Sequence, residues 1–493
     1  MICLSFWCIL QLILVWHFTN ELKKLDRFEN PMNIKKDRQI EVEITGIAFG
    51  GKGLVRVNGM AVFVDHAVPG DKALIRIMRK KKNYAEARVL KLIEPSAQRI
   101  NTPCVYSGFC GGCKWQFLDY EAQLIYKRQH VVESLEHIGQ IKNVQVQPTI
   151  ASPLKFGYRN KMEFSCTDRR WLSPHEMQKP ETDKGFGIGL HVPGTFFKVF
   201  DTKRCLLQPD LGNHLLAEVR KFIRASRLPV YNLRSHEGFW RFLMLRHSVA
   251  FNRWMVNIVT ASDQHHAMQD LADMLLEKYP QVISVINNIT SRKAGVTFGE
   301  MELGLAGAET IVDKIGSFAF EISANSFFQT NTGGAAQLYA VVKKYAELSG
   351  SETVIDLYSG TGTISILLSE VAREIIGLEM APSAVADARR NCQVNGVENC
   401  RFLSGDIRES LPKISHQPDV LILDPPRAGI HPDVVKQVLA LSPERIVYVS
   451  CNPATLARDL SLLKEVYRVQ EVQPVDLFPH TYHIESVARL VKI

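Results

Sequence analysis

TVIDLYSGTGT, residues 353–363, reads as a buried β-strand running into a glycine-rich turn, and that reading decides the fold of the last third of the chain. Gly360 and Gly362 let the backbone turn tightly and approach a ligand before a helix begins. The pattern repeats downstream: EIIGLE (374–379), a helix over 382–395, CRFLSGD (400–406), DVLILD (419–424), a helix over 433–441 and RIVYVS (445–450). Strands and helices that alternate in this way make a parallel, doubly wound α/β sheet. The last two strands, near 469–476 and 485–491, have no helix between them and are expected to pair antiparallel at the edge of the sheet.

Glu379 lies nineteen residues beyond Gly360, at the end of the second strand, where a carboxylate can accept both hydroxyls of a ribose. A nicotinamide dinucleotide would satisfy the same features. The third glycine of the dinucleotide fingerprint is replaced by Ser365, however, and a pyrophosphate then loses its close approach to the helix. S-adenosylmethionine has no phosphate and fits better. Asp424 ends the fourth strand in DPPRAG, on the carboxyl edge where ligands bind in such sheets, and two prolines fix the backbone after it.

Cys451 follows the fifth strand and precedes NPATLARDL, the start of a helix. A thiol at a helix N-terminus is expected to be acidified by the dipole, whereas the bland reading is a small buried hydrophobe. A thiolate at the ligand edge suits addition to carbon 6 of uracil, which turns carbon 5 into a nucleophile for a sulfonium methyl. A base must then take the carbon 5 proton. Glu485, opening the last strand in HIESVARL, is the candidate; the competing reading is a surface carboxylate paired with Arg489.

Over 493 residues, 46% hydrophobic and 22% charged, the chain has the composition of a globular protein of two to four domains. A net charge of +8 permits a polyanionic partner without demanding one. Ten cysteines are too few for a disulfide scaffold and suggest metal ligation or catalysis in a reducing compartment, so a cytoplasmic protein is expected. Against this, residues 1–18 are nearly all apolar. They lack the basic start and small-residue end of a signal peptide, while Lys23 and Lys24 would suit a membrane anchor. The favoured expectation is that translation starts at Met32, which opens a polar segment running into the first strand; no membrane partner is then expected, and no protein partner is indicated.

Short alternating segments from 38 to 95, punctuated by glycines, suggest a small closed β-barrel. Arg79, Lys80, Lys81 and Lys82, with Tyr84 beside them, lie between its fourth and fifth strands and suit either a solvated hairpin tip or a single-strand RNA groove. A helix follows near 119–137, and the stretch to about 320 mixes strands with a helix near 266–278, an α+β region. Cys104, Cys110 and Cys113 form C-x5-C-x2-C, with Cys205 far downstream. Zinc sites usually pair two C-x2-C knuckles, so the spacing leans toward an iron–sulfur cluster without excluding zinc. Cys3, Cys8, Cys166, Cys392 and Cys400 have no assigned role.

After residue 37 the chain resembles the RNA uracil-5 methyltransferase family, especially its 23S ribosomal RNA branch, through SCNPATLARDL (450–460), HIESVA (483–488) and ANSFFQTN (324–331). The resemblance implies a Rossmann-like S-adenosylmethionine-dependent methyltransferase domain at 321–493. It also implies an N-terminal OB-like TRAM β-barrel at 38–95 that holds RNA, and a middle α+β domain at 96–320, with 1–37 as an apolar extension. By the same resemblance Cys451 is the nucleophile, Glu485 the base, and Gln329, Tyr358, Glu379 and Asp424 the cofactor ligands. Cys104, Cys110, Cys113 and Cys205 then hold a four-iron, four-sulfur cluster. Ribosomal RNA is the favoured substrate, with transfer RNA the alternative, and a uridine flipped out of its stack is expected. Two other readings stay open: an amino-group methyltransferase, which needs no cysteine and usually has an aromatic where Arg427 stands, and a non-catalytic RNA-binding protein.

Overall fold

The computed structural model describes residues 34–293, 295, 298–414 and 417–493. The apolar segment 1–18, Met32, Cys3 and Cys8 lie outside them. The chain divides into two compact units, residues 1–99 and 100–493.

The first unit is a barrel of six strands: β1 (Gln39–Glu43), β2 (Gly46–Ala48), β3 (Lys52–Val57), β4 (Met60–Asp65), β5 (Lys72–Lys80) and β6 (Tyr84–Glu94), in the order β1-β5-β6-β4-β3-β2. The sequence suggests five strands; the first is in fact two. β1 pairs with β5, the chain turns at Thr45, whose N–H donates to Leu54 O at 3.0 Å, and β2 then pairs with β3. One continuous run thereby joins the two ends of the sheet and leaves no open edge. Alternate residues, among them Ile40, Val55, Val57, Val62, Val64, Ile75 and Ile77, fill the interior. The basic run is the exposed tip of the β5–β6 hairpin, closed by Lys81 N–H to Tyr84 O at 2.8 Å.

In the second unit β7 (Gln145–Val146), β8 (Lys161–Thr167), β9 (Gly187–Gly189), β10 (Trp240–Ser248), β11 (Arg253–Thr260), β12 (Val282–Ile289) and β13 (Met301–Gly307) come first. All but β7 form a mixed sheet, β13-β12-β11-β10-β8-β9, in which only β11 and β12 run parallel. The helices Asp210–Ser226 and His265–Lys278 pack on it through Leu215, Leu216, Met268 and Leu271 against Trp240 and Trp254. The first of these helices escaped the sequence reading. A hairpin, β14 (Thr310–Ile315) and β15 (Phe318–Ser323), follows. The expected domain boundary at 320/321 falls inside β15, and Ile311, Phe320 and Ile322 pack in one core with Leu338, Val342 and Ile364.

The C-terminal sheet contains β16 (Thr353–Leu357), β17 (Glu374–Glu379), β18 (Cys400–Ser404), β19 (Val420–Leu423), β20 (Arg445–Ser450), β21 (Tyr467–Val475) and β22 (Glu485–Lys492). Its order is β18-β17-β16-β19-β20-β22-β21-β7, with β16 to β20 all parallel. The antiparallel pair β21–β22 forms as the missing helix predicts, but not at the edge: β22 lies inside the sheet and the two-residue β7 covers β21.

Asp476, just after β21, meets Lys127 of the helix Tyr120–His137 at 2.6 Å, and neither side chain reaches solvent. Tyr120 Oη donates to the other oxygen of Asp476 at 2.9 Å, and Lys127 also donates to Phe478 O at 3.1 Å. Two charges taken out of water stabilise little as a pair, but removing one leaves the other uncompensated. Lys127→Met is therefore expected to cost about 3–5 kcal/mol of stability, and Lys127→Met with Asp476→Leu to recover much of it. Chemical denaturation of the full chain measures both, and a single-variant loss below about 1 kcal/mol would mean that the pair is hydrated.

Candidate active site

The register of the C-terminal sheet brings the predicted groups to one edge. Ser450 pairs with Ser486 across β20 and β22, so Cys451 and Glu485, one step outward on each strand, are neighbours. Leu423 lies between Leu357 of β16 and Tyr448 of β20, which puts Asp424 beside them at the carboxyl ends of the central strands.

Asp459, fully buried in the helix Pro453–Leu463, fixes the DPPRAG turn. It accepts from Tyr448 Oη at 2.6 Å, from Ile430 N–H at 2.9 Å and from Arg458, whose guanidinium also donates to Ala428 O. Gly429, at φ +79°, has no room for a side chain, since an added Cβ would lie 2.3 Å from Asp459 Oδ2. Asn452 caps the same helix through Ala454 N–H at 3.1 Å and donates to Arg427 O at 3.2 Å. Both the acid and the thiol thus sit on backbone tied to one helix start.

The electrostatics run opposite to the expected acidified thiol. Cys451 is pushed up to about 11, first by burial and then by Glu485 and Asp424, with Arg427 opposing. The helix does not offset this, because Asn452 is the capping residue and Cys451 stands outside it, among acids. Glu485 is pushed up to about 8 by burial and by Asp424, again with Arg427 opposing. Asp424 rises to about 7 through burial and through Asp356. Asp356, which the sequence reading passed over, rises to about 7 through burial, despite a 2.6 Å bond from Ser365 Oγ; Glu379 pushes it the same way. Ser365, where a third glycine would stand, is the anchor of that acid.

Glu485 is buried, 5% exposed, and Arg489 pairs instead with Glu347 at 2.6 Å, so the surface-pair reading fails. Glu379 accepts Gly360 N–H at 3.1 Å and Ala381 N–H at 2.8 Å, holding the glycine turn from the next strand. An added Cβ at Gly360 would meet nothing within 4 Å, so space lies before the turn, whereas one at Gly362 would lie 2.8 Å from the Phe402 ring. The second glycine therefore serves packing rather than the ligand.

The Gln329 side chain lies beside Tyr339, a buried phenol in the field of Asp424, Glu485 and Asp356. Its carbonyl accepts from Asn160 Nδ2 at 2.8 Å. Tyr339 is a second group missed in the sequence; it lies in the helix Thr332–Ala346, which the sequence reading also did not include. Tyr358 has a left-handed backbone, φ +66°, and its phenol is raised by burial and by Asp459 and Asp406, so the side chain faces that group. His483, two residues before Glu485, is held at about 4 by burial and by Arg427. Arg427 is the cation that opposes the rise of both Cys451 and Glu485.

Cys104, Cys113 and Cys205 all act on the Cys110 thiol, which burial pushes up to about 12. Gly112 N–H donates to Cys110 Sγ and Gln116 Nε2 to Cys113 Sγ, both at 3.3 Å. Among the described residues no group of three or more His, Cys, Asp or Glu side chains is arranged to hold a metal ion.

Raised carboxyls make stability depend on pH. Between about pH 4 and 8 the folded protein keeps protons on Asp356, Asp424 and Glu485 that the unfolded chain has released, so stability falls as pH rises through that window. Glu485→Gln removes one contribution, and its melting temperature is expected to fall less from pH 6 to 8.5 than that of the parent. Equal falls in a thermal scan would show that Glu485 titrates at its ordinary value.

Comparison with known proteins agrees with this geometry. Residues 262–493 match the tRNA (uracil-5-)-methyltransferase family model and residues 36–90 the TRAM domain. An uncharacterized RNA methyltransferase of Porphyromonas gingivalis is 40% identical over 92% of this chain and 99% of its own. One of Chlorobaculum tepidum is 41% identical over 93% and 98%. The crystal structure of the Pyrococcus abyssi tRNA (uracil-54, C5)-methyltransferase in complex with S-adenosyl-L-homocysteine superimposes with a TM-score of 0.71, at 30% identity over 92% of this chain and 100% of that one. With its methyltransferase sheet preceded by a TRAM barrel, the chain belongs to the RNA (uracil-5-)-methyltransferase family.

Proposed function

We propose that the protein methylates carbon 5 of a flipped-out uridine in RNA, with S-adenosylmethionine as donor and Cys451 as covalent nucleophile. The observation that carries this reading is the adjacency of Cys451, Glu485 and Asp424 at one sheet edge, where both acids raise the thiol and Asp424 raises Glu485. The donor supplies a sulfonium methyl group when bound. Glu379, already on two backbone N–H groups of the glycine turn, has lone pairs left for ribose hydroxyls, and Gln329, Asp424 and the Tyr358 turn frame the rest of its site. A cation placed among the acids favours their ionised forms, and Arg427 favours the Cys451 thiolate.

The thiolate sulfur of Cys451 bonds to carbon 6 of uracil, and the electron pair of the 5,6 double bond moves toward oxygen 4. Carbon 5 takes the methyl group as the donor's sulfur–carbon bond breaks. Ionised Glu485 removes the proton from carbon 5; the 5,6 double bond re-forms and the Cys451 sulfur leaves with its electron pair.

The cysteine set supports a four-iron, four-sulfur cluster held by Cys104, Cys110, Cys113 and Cys205. The four thiols lie close enough to act on one another, and two of them accept N–H donors, as cluster thiolates do. Such a cluster would pin the loop that leads into the helix Tyr120–His137. Ribosomal RNA is the favoured substrate because barrel and cluster accompany that branch of the family; likeness to the Pyrococcus abyssi enzyme favours the transfer RNA reading. Eight described cysteines are all free and no described helix is long and apolar enough to cross a membrane, and we place the enzyme in the cytoplasm.

Anaerobically purified protein is to be incubated with labelled S-adenosylmethionine and unmodified ribosomal or transfer RNA. The expected product is 5-methyluridine in one RNA, lost in Cys451→Ala, while Glu485→Gln accumulates a protein–RNA adduct that survives denaturing electrophoresis. Methyl transfer by Cys451→Ala would overturn the covalent route and favour an amino-group methyltransferase. Cys110→Ser is expected to lose most of the iron and the visible absorption of the purified parent, and a parent that contains no iron rules the cluster out.

A further inference from the structure

In the middle sheet the chain builds a second recess, a cavity of about 1250 Å³ beyond the end of β8. Eight Lys and Arg side chains line it against a single carboxylate, Asp168, which already accepts from Asn232 Nδ2 at 2.7 Å. The chain as a whole is only modestly basic, so this is a local concentration of positive charge. Aromatic rings lie open beside the cations. Phe196 is 87% exposed, Phe197 56% and Trp171 43%. Lys198 Nζ stands 3.9 Å from the centre of the Trp171 ring, and Arg234 lies 5.9 Å from that of Phe197. Arg170 pairs with Glu176 at 2.7 Å, and Arg241 donates to Thr290 O at 2.8 Å.

Exposed rings cost hydration and are kept where something covers them. Interleaved with cations in a groove, they match single-stranded nucleic acid, whose phosphates meet the charges while its bases stack on the rings. β8 connects this recess to the catalytic edge. Just before its start Asn160 donates from Nδ2 to Gln329 O at 2.8 Å and from its N–H to Thr330 O at 2.9 Å; the last residues of the strand, Ser165 to Thr167, line the groove. At about 3.3 Å per residue the two ends are roughly 20 Å apart. A uridine pulled out of its stack leaves flanking nucleotides that need support, and this groove is within their reach.

We propose that this groove binds unpaired RNA flanking the target uridine, an inference that rests on RNA being the substrate and goes beyond the barrel and the catalytic edge as contact sites. The probe is a short fluorescein-labelled oligouridylate, titrated by fluorescence anisotropy with the full chain and two variants, Phe196→Ala/Phe197→Ala and Lys198→Glu/Arg234→Glu. All four side chains are surface groups, and unchanged melting temperatures and S-adenosylmethionine affinity check that the fold is intact. The aromatic variant is expected to bind about 5- to 100-fold more weakly with an unchanged salt dependence. The charge variant is expected to bind at least tenfold more weakly and to flatten the slope of log K against log salt by about 1.4, for two lost phosphate contacts. Parental affinity in both variants overturns the proposal, as does displacement of the oligonucleotide from the parent, but not from the charge variant, by polyglutamate at equal charge, which would assign the groove to an acidic protein. If the variants lose affinity while the parent methylates no uridine, the groove stands and the uracil reading falls; if the parent methylates and both variants bind as it does, the reverse holds.

Discussion

Lys127 and Asp476 meet where neither is in contact with water, and the placement of the candidate base depends on that meeting. A buried lysine beside a buried aspartate is tolerated only while both are present and their remaining hydrogen-bonding capacity is used. Here it is used along the chain that leads to Glu485. Phe478 N–H donates to Asp476, Gln123 accepts from His480 N–H, and both Lys114 and Trp115 N–H donate to His480 O. The segment from Asp476 to Glu485 is therefore held by the helix Tyr120–His137 and by the stretch immediately after Cys113. Asn331, two residues beyond Gln329, donates to Leu477 O from the other side. The cysteine loop, the segment carrying Gln329 and the approach to the base are parts of one polar network.

That rigidity serves a site that is electrostatically unfavourable in the free protein. Asp356, Asp424 and Glu485 crowd one edge of a sheet whose strands are apolar, and all three hold their protons to higher pH than exposed carboxyls do. Burial is the largest cause in each, because a charge in a poorly solvated recess has little to stabilise it. Arg427 opposes the rise at Glu485 and at the thiol without reversing it. Such an edge is suited to a cationic ligand, whose arrival supplies what solvent cannot. A thiol kept protonated until then is also protected from oxidation and unproductive addition.

Much of this was legible in one dimension because it is local. Alternating strands and helices, the glycine turn and the residues that end each strand follow from short-range pattern, and Cys451, Asp424 and Glu485 all stand at strand ends that can be read directly. The helix Asp210–Ser226 was harder, since Asn213, Gly212 and Arg220 interrupt its apolar stripe; Asn213 and Arg220 are buried there by bonds to Cys205 and Asp201 that no local pattern announces. Asp356 and Tyr339 were passed over because each looks like an ordinary core position until the strands that face it are in place.

In the last third of the chain the sequence by itself determined the alternation of strands and helices, the parallel class of the sheet and the residue types offered at the ligand edge, since these depend on periodicity and on turns of a few residues. Tertiary structure alone decided the insertion of β22 between β20 and β21, which makes Glu485 the neighbour of Cys451. It alone decided the protonation of the thiol as well. A helix N-terminus predicts an acidic cysteine, but Asn452 takes the cap and two carboxyls close in from other strands, so burial and like charge outweigh the dipole. Pairing across tens of residues and the field of groups remote in sequence are properties of the folded arrangement, and no local pattern contains them.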